Sequence, residues 1–325
     1  MRVGVTYDLR SHYLAQGYGE EETAEFDRVE TIEAIEGALR ALGYETERIG
    51  NIKDLVARLA AGRSWDLVFN ICEGLYGMGR EAKVPALLDA YGIPYTFSDP
   101  LVLSLTLHKG MTKNVLKACG IRTPDFVVVE DETDIDSIAL PFPLFAKPVA
   151  EGTGKGISPS SKMTNREDLR EVCRDLLHRY RQPVLVETFL PGREFTVGIV
   201  GSGKESVALG VVEIVLKEKA ESDAYSFVNK ENCEELVLYL LAEGEIPDQC
   251  KDLSLQAWRL LGCRDAGRID LRLDGDGAPH ILEINSLAGL NPAHSDLPII
   301  CSRLNLPYGE LIRRIMDSAV KRVRP

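Results

Sequence analysis

The chain has 325 residues, of which 45% are hydrophobic and 27% are charged, and its formal net charge at pH 7 is -12. This composition is typical of a folded protein with two or three core-bearing lobes, and the acidic balance argues against bulk-charge binding to nucleic acid or to an anionic membrane. Seven cysteines without CxxC spacing favour reduced thiols over a disulfide framework or a zinc site. Because no apolar run approaches ~18 residues and no signal-peptide pattern opens the sequence, we predict a cytoplasmic protein.

The first 100 residues alternate between strand and helix patterns. Three apolar strands are expected at residues 2–8, 44–49 and 65–71. Amphipathic helices follow the first two strands, and Gly43 ends one of them. This alternation predicts a doubly wound, parallel N-terminal α/β lobe, which we place at residues 1–102.

Two further lobes are expected after this one. A helix over 104–119, strands at "DFVVVE", "FPLFAKP" and "PVLVETF", and a helix over 165–180 predict a small central α+β lobe at 103–190. The strands "EFTVGIV", "SVALGVVEIV", "GRIDLRL" and "HILEIN", with a helix over 249–261 and a final helix, predict a C-terminal lobe at 191–325.

Polar side chains alternate with apolar ones on the last two strands. Arg268 and Asp270 alternate with Ile and Leu, a "DGDG" turn then reverses the chain, and the next strand places Ile281, Glu283 and Asn285 at alternate positions on one face. If the polar faces agree, Asp270, Glu283 and Asn285 form an all-oxygen cluster, which suits Mg²⁺ shared with phosphates better than zinc. The alternative is a plain hairpin with one solvated face.

A glycine-rich segment offers a phosphate-binding loop. In "FAKPVAEGTGKGIS", Lys147 ends an apolar strand, and Gly152, Gly154 and Gly156 follow it, so backbone N–H groups there can approach an anion. The segment is neither a Walker A loop, because Lys155 is followed by glycine, nor a G-x-G-x-x-G fingerprint.

The order of these segments resembles the ATP-grasp ligases, in particular their D-alanine–D-alanine ligase branch. The similar segments are "HKGMTKNVLKACGI", "FAKP" with the glycine-rich loop, "VLVETFLPGREFTV", and "GRIDLRL" followed by "ILEINSLAGLNPAHSDLP". Upstream, "FNICEGLYGMGREAKVPALLDAYGIPYTFSD" is similar to that branch's "HG...GEDG" segment, so the resemblance spans about residues 66–300. It implies an α/β protein with α+β ATP-binding lobes, that is, an ATP-grasp fold behind a doubly wound parallel lobe. It also implies an ATP-dependent carboxylate–amine ligase, in which ATP phosphorylates a carboxylate and an amine then displaces phosphate from the acyl phosphate.

The resemblance also implies a binding site for ATP and two Mg²⁺ ions, for which Mn²⁺ can substitute. The residues expected at ATP are Lys109, Lys147, Gly152, Thr153, Gly154, Gly156, Glu187, Thr188, Phe189, Leu190 and Glu194. In this arrangement the two lysines hold the α and β phosphates and the glycine-rich loop covers the γ phosphate. The backbone of 187–190 reads adenine, and the last glutamate binds the ribose hydroxyls. Asp270, Glu283 and Asn285 are the expected metal ligands.

The same resemblance assigns catalytic and substrate-binding residues. Arg268 and the backbone N–H of Gly289 are expected to stabilise the tetrahedral oxyanion. Lys230 resembles the lysine of a mobile loop that reaches phosphate and the acceptor carboxylate, and Ser295 matches the serine that holds that carboxylate.

Several positions depart from the branch's pattern, and they touch substrate contacts. Glu73 replaces the histidine of His-Gly, and Glu231 replaces a tyrosine after the loop lysine. The glutamate that binds the first substrate's ammonium has no fixed counterpart, and Glu20, Glu21 and Glu22 are candidates. We therefore expect Glu73 at the substrate. The resemblance implies D-alanyl-D-alanine synthesis for peptidoglycan, with a redesigned pocket rim. The alternative, which the charge of Glu73 and Glu231 favours, is a ligase of the same chemistry that uses D-alanine poorly and acts on other amino acids or a natural-product intermediate.

Two rival classes and the expected partners complete the sequence-based hypotheses. A dinucleotide-dependent oxidoreductase would need a glycine fingerprint after the first strand, which is absent. A non-catalytic ATP-binding module would be indicated by the loss of a metal ligand or of Arg268, and all of these residues are present.

We expect amino-acid or other small carboxylate and amine substrates, a homodimer, and neither nucleic acid nor membrane as a partner.

Overall fold

The N-terminal lobe is built on a three-stranded parallel sheet. The computed structural model describes residues 1–221 and 226–323. The elements of this lobe are β1 (Arg2–Tyr7), α1 (Arg10–Ala15), α2 (Val29–Ala41), β2 (Glu45–Gly50), α3 (Ile52–Ala60), β3 (Leu67–Ile71) and α4 (Lys83–Ala90). The strand order is β2-β1-β3 and both pairings are parallel. Every residue of β3 is buried, which explains its unbroken apolar run. The alternation of strand and helix predicted from the sequence is confirmed.

The central lobe carries a four-stranded antiparallel sheet in the order β4-β7-β5-β6. Its elements are α5 (Pro100–Leu107), α6 (Lys109–Ala118), β4 (Phe126–Val129), β5 (Leu144–Pro148), β6 (Lys162–Met163), α7 (Arg166–Tyr180) and β7 (Val184–Thr188). Helix α7 buries Leu169, Cys173 and Leu176 against this sheet, which is the stripe that its 3.6-residue period predicts.

The single helix expected over 104–119 is wrong, because the chain forms two helices that meet at His108. The backbone of His108 has ψ of 89°, outside the helical range, and its Nδ1 accepts the N–H of Met111 at 3.2 Å as an N-cap. His108 is neither glycine nor proline, so the residue at the break does not itself mark a helix end. The break makes Lys109 the first residue of α6.

The C-terminal lobe carries a five-stranded antiparallel sheet in the order β10-β9-β8-β11-β12. Its elements are β8 (Glu194–Val200), β9 (Val207–Leu216), α8 (Phe227–Glu231), α9 (Cys233–Leu236), β10 (Val237–Leu241), α10 (Glu245–Leu261), β11 (Ala266–Leu273), β12 (Pro279–Asn285), α11 (Asp296–Arg303) and α12 (Tyr308–Ala319). Trp258 of α10 is fully buried in the core beneath the sheet.

The hairpin of β11 and β12 forms as predicted, but with a bulge. Asp270 pairs with Glu283, whereas the next residue, Leu271, pairs with Ile281, so Leu282 is the extra residue on β12. As a result Ile281 turns into the core, and the expectation that it shares a face with Glu283 is wrong. The bulge leaves Leu282 beside Glu283 on the face that lines a cleft.

The last helix returns to the first lobe. Helix α12 packs on α2, and Leu311 and Ile315 share a buried core with Val5 and Ile35. The boundaries 1–102, 103–190 and 191–325 remain a prediction, although α12, which they assign to the third lobe, contributes to the core of the first.

No helix in the described residues is long and apolar enough to cross a membrane. The seven cysteines all lie in the described part of the chain and form no disulfide, as the sequence predicted.

Candidate active site

A cleft of about 750 Å³ lies between the two antiparallel sheets, and we call it the inter-sheet cleft. Its apolar walls come from β5, the glycine-rich loop, the residues after β7 and the bulge of β12, and consist of Phe145, Ile157, Phe189, Leu190 and Leu282. The rings of Phe145 and Phe189 lie 6.4 Å apart between centroids. Apolar walls with a few polar groups are typical of a site for a flat heterocycle.

Two buried lysines meet one buried glutamate at the polar end of this cleft. Lys147 Nζ of β5 lies 2.9 Å from Glu187 Oε1, and Lys113 Nζ of α6 lies 2.8 Å from Glu187 Oε2. Although burial raises it, the pKa of Glu187 is held below its ordinary value by Lys113 and Lys147. Glu187 therefore fixes the ammonium of Lys147 at the cleft. Lys113, whose pKa burial lowers to about 8, was missed from the sequence because a lysine in a polar helix pattern is usually solvated.

The segment 187–190 has fewer open backbone groups than the resemblance implied. The N–H of Thr188 donates to Asp125 O at 2.8 Å, and the N–H of Phe189 donates to Pro143 O at 3.0 Å. Within the described residues, the amide of Leu190 has no hydrogen-bond partner. Hydrogen bonding of adenine by the backbone of this segment remains a prediction. Because the other two N–H groups are already used, the expected donor is the N–H of Leu190.

Glu194, expected at the ribose, also lines the cleft. Its carboxylate lies 3.5 Å from Arg272 Nη1, and burial raises its pKa.

Lys109 stands where the inter-sheet cleft opens into a second space. Its Nζ donates to the carbonyl oxygen of Glu151 at 2.5 Å and lies 3.5 Å from Glu283 Oε2. Burial raises the pKa of Glu283, but Lys109, Lys230 and Lys147 together hold it well below its usual range. Glu283 is therefore a carboxylate at the centre of a cationic cluster.

The glycine-rich loop adopts a backbone that needs small residues. Gly154 and Gly156 have φ of 71° and 74°, and Thr153 also lies in the left-handed region at 51°. A Cβ on Gly152 would lie 2.1 Å from Glu25 Oε1. Gly152 and Gly154 line the inter-sheet cleft.

Gly156 lies away from both spaces and packs against Pro148 and Tyr180. The structure therefore gives Gly156 a packing role, and its part in ATP binding remains a prediction.

The loop is tied to the N-terminal lobe through buried charges. Lys155 lies 2.8 Å from Glu25 and also pairs with Glu151. Arg80 donates two hydrogen bonds from Nη2 to Glu25, at 2.7 and 2.8 Å, and one from Nη1 to Ala150 O at 2.6 Å. Sequence reasoning missed this network, because its members lie far apart along the chain.

Asp270, Glu283 and Asn285 converge as predicted. Asp270 stands directly opposite Glu283 across the hairpin, and Asn285 Nδ2 donates to Asp270 Oδ2 at 3.3 Å. Arg268 pairs with Asp270, and its Nε lies 3.4 Å from Asp296 Oδ2. Within the described residues, the buried Oδ1 of Asp270 has no hydrogen-bond partner. Two facing carboxylates with an orphaned oxygen fit a cation.

This cluster is not a closed protein cage. Among residues 1–221 and 226–323, no group of three or more His, Cys, Asp or Glu side chains could hold a metal by itself. Mg²⁺ is usually bound by one or two carboxylates together with phosphate oxygens and water, so Asp270, Glu283 and the amide oxygen of Asn285 suit it.

A second space of about 1310 Å³, the polar cavity, adjoins the inter-sheet cleft and shares Lys109, Lys230 and Glu283 with it. Of the other residues predicted from the sequence, the polar cavity is also lined by Glu73, Gly152, Thr153, Arg268, Asn285, Gly289 and Ser295. Ser295 Oγ accepts the N–H of Asn291 at 3.0 Å, and a Cβ on Gly289 would approach that oxygen to 2.7 Å. The side chain of Glu231 lies outside the part of the chain that the structure describes.

None of the three glutamates considered for the substrate ammonium lines this cavity. Glu20 pairs with Arg10 at 2.8 Å, Glu21 with Arg179 and Tyr180, and Glu22 accepts the N–H of Gly19 at 2.8 Å. The expectation that Glu20, Glu21 or Glu22 binds the substrate ammonium is therefore wrong.

The acidic side chains that do line the cavity from this segment are Glu25 and Asp27, a few residues downstream. Their register could not be read from the sequence, because 17–27 is mostly turn structure without a period.

The geometry can now be compared with known proteins. The family model described as "D-ala D-ala ligase C-terminus" matches residues 115–317. The D-alanine–D-alanine ligase of Bordetella petrii is 33% identical over 292 residues, which is 88% of this chain and 85% of that relative. The chain belongs to the D-alanine–D-alanine ligase family. The relative of the same name from Cupriavidus necator is 31% identical over 293 residues, covering 89% of this chain and 86% of the relative.

A solved structure supports the fold independently. The D-alanine–D-alanine ligase of Bacillus anthracis complexed with ATP superposes with a TM-score of 0.75 at 20% identity, covering 99% of this chain and 98% of that one. The expected ATP-grasp fold is confirmed. As a member of the D-alanine–D-alanine ligase family, the protein is an ATP-grasp ligase, an enzyme class that forms carbon–nitrogen bonds, and the dinucleotide oxidoreductase alternative is excluded.

Proposed function

We propose that the protein uses ATP to activate the carboxylate of an amino acid and then joins that acyl group to the amine of a second small acid. One observation carries this proposal. The apolar cleft suited to a nucleotide and the polar cavity suited to an amino acid meet at Lys109, Lys230 and Glu283. A γ phosphate at the end of the cleft would therefore stand beside a carboxylate in the cavity, which is the proximity that phosphoryl transfer needs.

At the nucleotide, Lys109 and Lys147 are suited to the phosphate oxygens. The N–H of Leu190 is suited to donate a hydrogen bond to adenine, and the carboxylate of Glu194 is suited to accept hydrogen bonds from the ribose hydroxyls. Asp270, Glu283 and the amide oxygen of Asn285 would hold Mg²⁺, with Mn²⁺ as a substitute. When bound, the metal neutralises phosphate charge and fixes the orientation of the phosphates.

At the donor carbonyl, Arg268 and the N–H of Gly289 stabilise the oxyanion that forms when the amine attacks the acyl phosphate. Although burial lowers it, the pKa of Arg268 is held above its ordinary value by Asp270 and Asp296, so the guanidinium stays charged. A preorganised donor of this kind typically contributes about 3 to 4 kcal/mol to the barrier. The phosphate leaves as the amide forms. Lys230 and Ser295 are suited to the carboxylate of the acceptor.

The test is ADP release in the presence of ATP, Mg²⁺ and a panel of amino acids that includes D-alanine, with the amide product identified by mass spectrometry. Glu283→Ala should abolish turnover. The matched control is Asp276→Ala in the exposed turn of the same hairpin, which should retain it. The absence of amide product with every amino acid in the panel would overturn the proposal, and so would equal turnover by Glu283→Ala.

Two broader properties belong to the same proposal. We expect a cytoplasmic enzyme, because its substrate ATP is made there, and a homodimer, which light scattering after size exclusion tests. D-alanyl-D-alanine is the product named by the relatives, and D-alanine is therefore the reference substrate of the panel.

A further inference from the structure

The polar cavity holds more carboxyl groups at its N-terminal side than one α-ammonium requires. Glu25, Asp27, Glu73 and Glu81 all line it there, and Glu73 interacts electrostatically with the other three. We propose that the donor is an amino acid whose side chain carries a second cationic group, such as a diamino acid. This inference rests on the proposed ligase function and specifies its donor.

One of the four carboxylates is already neutralised by the protein. Glu25 receives two hydrogen bonds from Arg80 and lies 2.8 Å from Lys155. Both cations are buried and both also bind the glycine-rich loop, Arg80 through Ala150 O and Lys155 through Glu151. Glu25 therefore belongs to the connection between the lobes and leaves the other three carboxylates for a ligand.

Of these three carboxyl groups, that of Glu81 is the most clearly available to a ligand. Its side chain lies in the wall of the polar cavity, the residue is only 9% exposed, and it makes no hydrogen bond or ion pair within the described residues. Glu73 and Asp27 are partly exposed, and their side chains also have no hydrogen-bond or ion-pair partner in residues 1–221 and 226–323. Because burying an unpaired carboxylate is costly, a carboxyl group in such a place stays protonated until a cation or a donor meets it.

The cations of the cavity wall make their ion pairs with other carboxylates. Lys109, Lys230 and Arg268 lie beside Glu283 and Asp270, at the end where the phosphates are proposed to bind. Arg10 pairs with Glu20, and Arg28 is exposed. One α-ammonium can satisfy only part of a three-carboxylate cluster.

The electrostatics of the cluster agree with this interpretation. Burial raises the pKa of Glu81 to about 7, with Glu25 adding to this effect and Arg80 and Lys109 opposing it. Burial and Asp8 raise the pKa of Asp27 to about 8. Burial and the neighbouring carboxylates raise the pKa of Glu73. A ligand with two positive charges would relieve this repulsion, whereas an amino acid with an alkyl side chain would leave carboxylates buried without a partner. The second cationic group takes no part in bond making and is recovered unchanged in the product.

The experiment compares donors that differ only in this group. With the wild-type enzyme, kcat/KM is measured for 2,4-diaminobutyrate against norvaline and for ornithine against norleucine, in both enantiomers, with D-alanine as reference. We expect the diamino acid of at least one pair to exceed its neutral counterpart by tenfold or more. Equal values, or a preference for the neutral acids or D-alanine, would overturn the inference while leaving the ligase proposal intact. Absence of amide product with every donor would instead overturn the ligase proposal itself.

Variants test whether the acidic cluster causes the preference. Glu81→Gln and Glu73→Gln should each lower the ratio of kcat/KM between diamino acid and neutral counterpart by about tenfold. Glu22→Gln, an exposed glutamate outside the cavity, is the matched control and should keep the ratio. An unchanged ratio in both cavity variants would refute the role of the cluster. If either variant fails to fold, the wild-type comparison still decides the inference.

Discussion

Substituting Gly152 by alanine should uncouple the glycine-rich loop from the N-terminal lobe. The added Cβ would lie 2.1 Å from Glu25 Oε1 and 3.1 Å from its Cδ. Because non-bonded heavy atoms settle near ~3.5 Å, either the carboxylate or the loop must move by about 1 Å or more. Glu25 has little freedom to do so, since Arg80 holds it with two hydrogen bonds and Lys155 lies 2.8 Å away.

The cost follows from the contacts that must loosen. Hydrogen bonds to a charged group contribute about 1.5 to 3 kcal/mol each, so losing one or two of them destabilises the closed loop by about 3 kcal/mol. If the reaction requires that closed arrangement, turnover falls by roughly 100-fold, since each 1.36 kcal/mol is a factor of ten. The assay is steady-state ADP release, together with thermal unfolding to separate turnover from global stability.

Two comparisons make this prediction specific. Gly37→Ala, in α2, meets no atom within 4 Å and should leave turnover unchanged while stabilising the helix by up to about 1 kcal/mol. In a Glu25→Ala background the obstructing carboxylate is gone, so adding Gly152→Ala should cost less than about threefold further. The reasoning is refuted if the turnover of Gly152→Ala alone stays within about twofold of the wild-type turnover. It is also refuted if Gly152→Ala reduces turnover just as much when the Glu25 carboxylate is absent.

Three further predictions concern the metal ligands, the loop and pH. Glu283→Ala and Asn285→Ala should each reduce Mg²⁺-dependent turnover by at least about 100-fold while keeping the melting temperature near wild type, because these side chains line the polar cavity where Mg²⁺ and phosphates are proposed to bind. Equal turnover measured by ADP release would refute the proposed metal ligands. Gly154→Val should lower turnover far more than it lowers the affinity for an ATP analogue measured by calorimetry, since a β-branched residue is strained at φ of 71°. If turnover and affinity fall in parallel, the loop has a purely structural role. Asp27, whose pKa is raised to about 8, keeps its proton in the folded state after the unfolded chain has lost it, so the free energy of unfolding should fall as pH rises from about 4 to 8. Asp27→Asn should reduce that fall in urea titrations at pH 5 and pH 8, and an identical slope would contradict the assignment.

Much of the fold, and the convergence of Asp270, Glu283 and Asn285, could be predicted because their information is local. A period of two places Arg268 and Asp270 on one face of a strand, and a five-residue connection brings Glu283 and Asn285 opposite them. The alternation of strand and helix in the first lobe could be predicted for the same reason, since the spacing of apolar residues within each element indicates which face is buried.

The remaining features depend on contacts that no local pattern encodes. The break at His108 falls at a residue that is neither glycine nor proline, and the bulge at Leu282 arises where cross-strand pairing overrides the two-residue period of a strand. Such overrides turned Ile281 into the core against the expectation from alternation.

The charge network was decided by the tertiary structure alone. Arg80 reaches Glu25 across 55 positions of sequence, and Lys155 reaches the same carboxylate from another lobe. In the sequence, Glu25 is one glutamate among several in an acidic stretch. Its role arises because residues of the N-terminal and central lobes meet around it in a buried place, and a buried charge must then find its partners in space instead of along the chain.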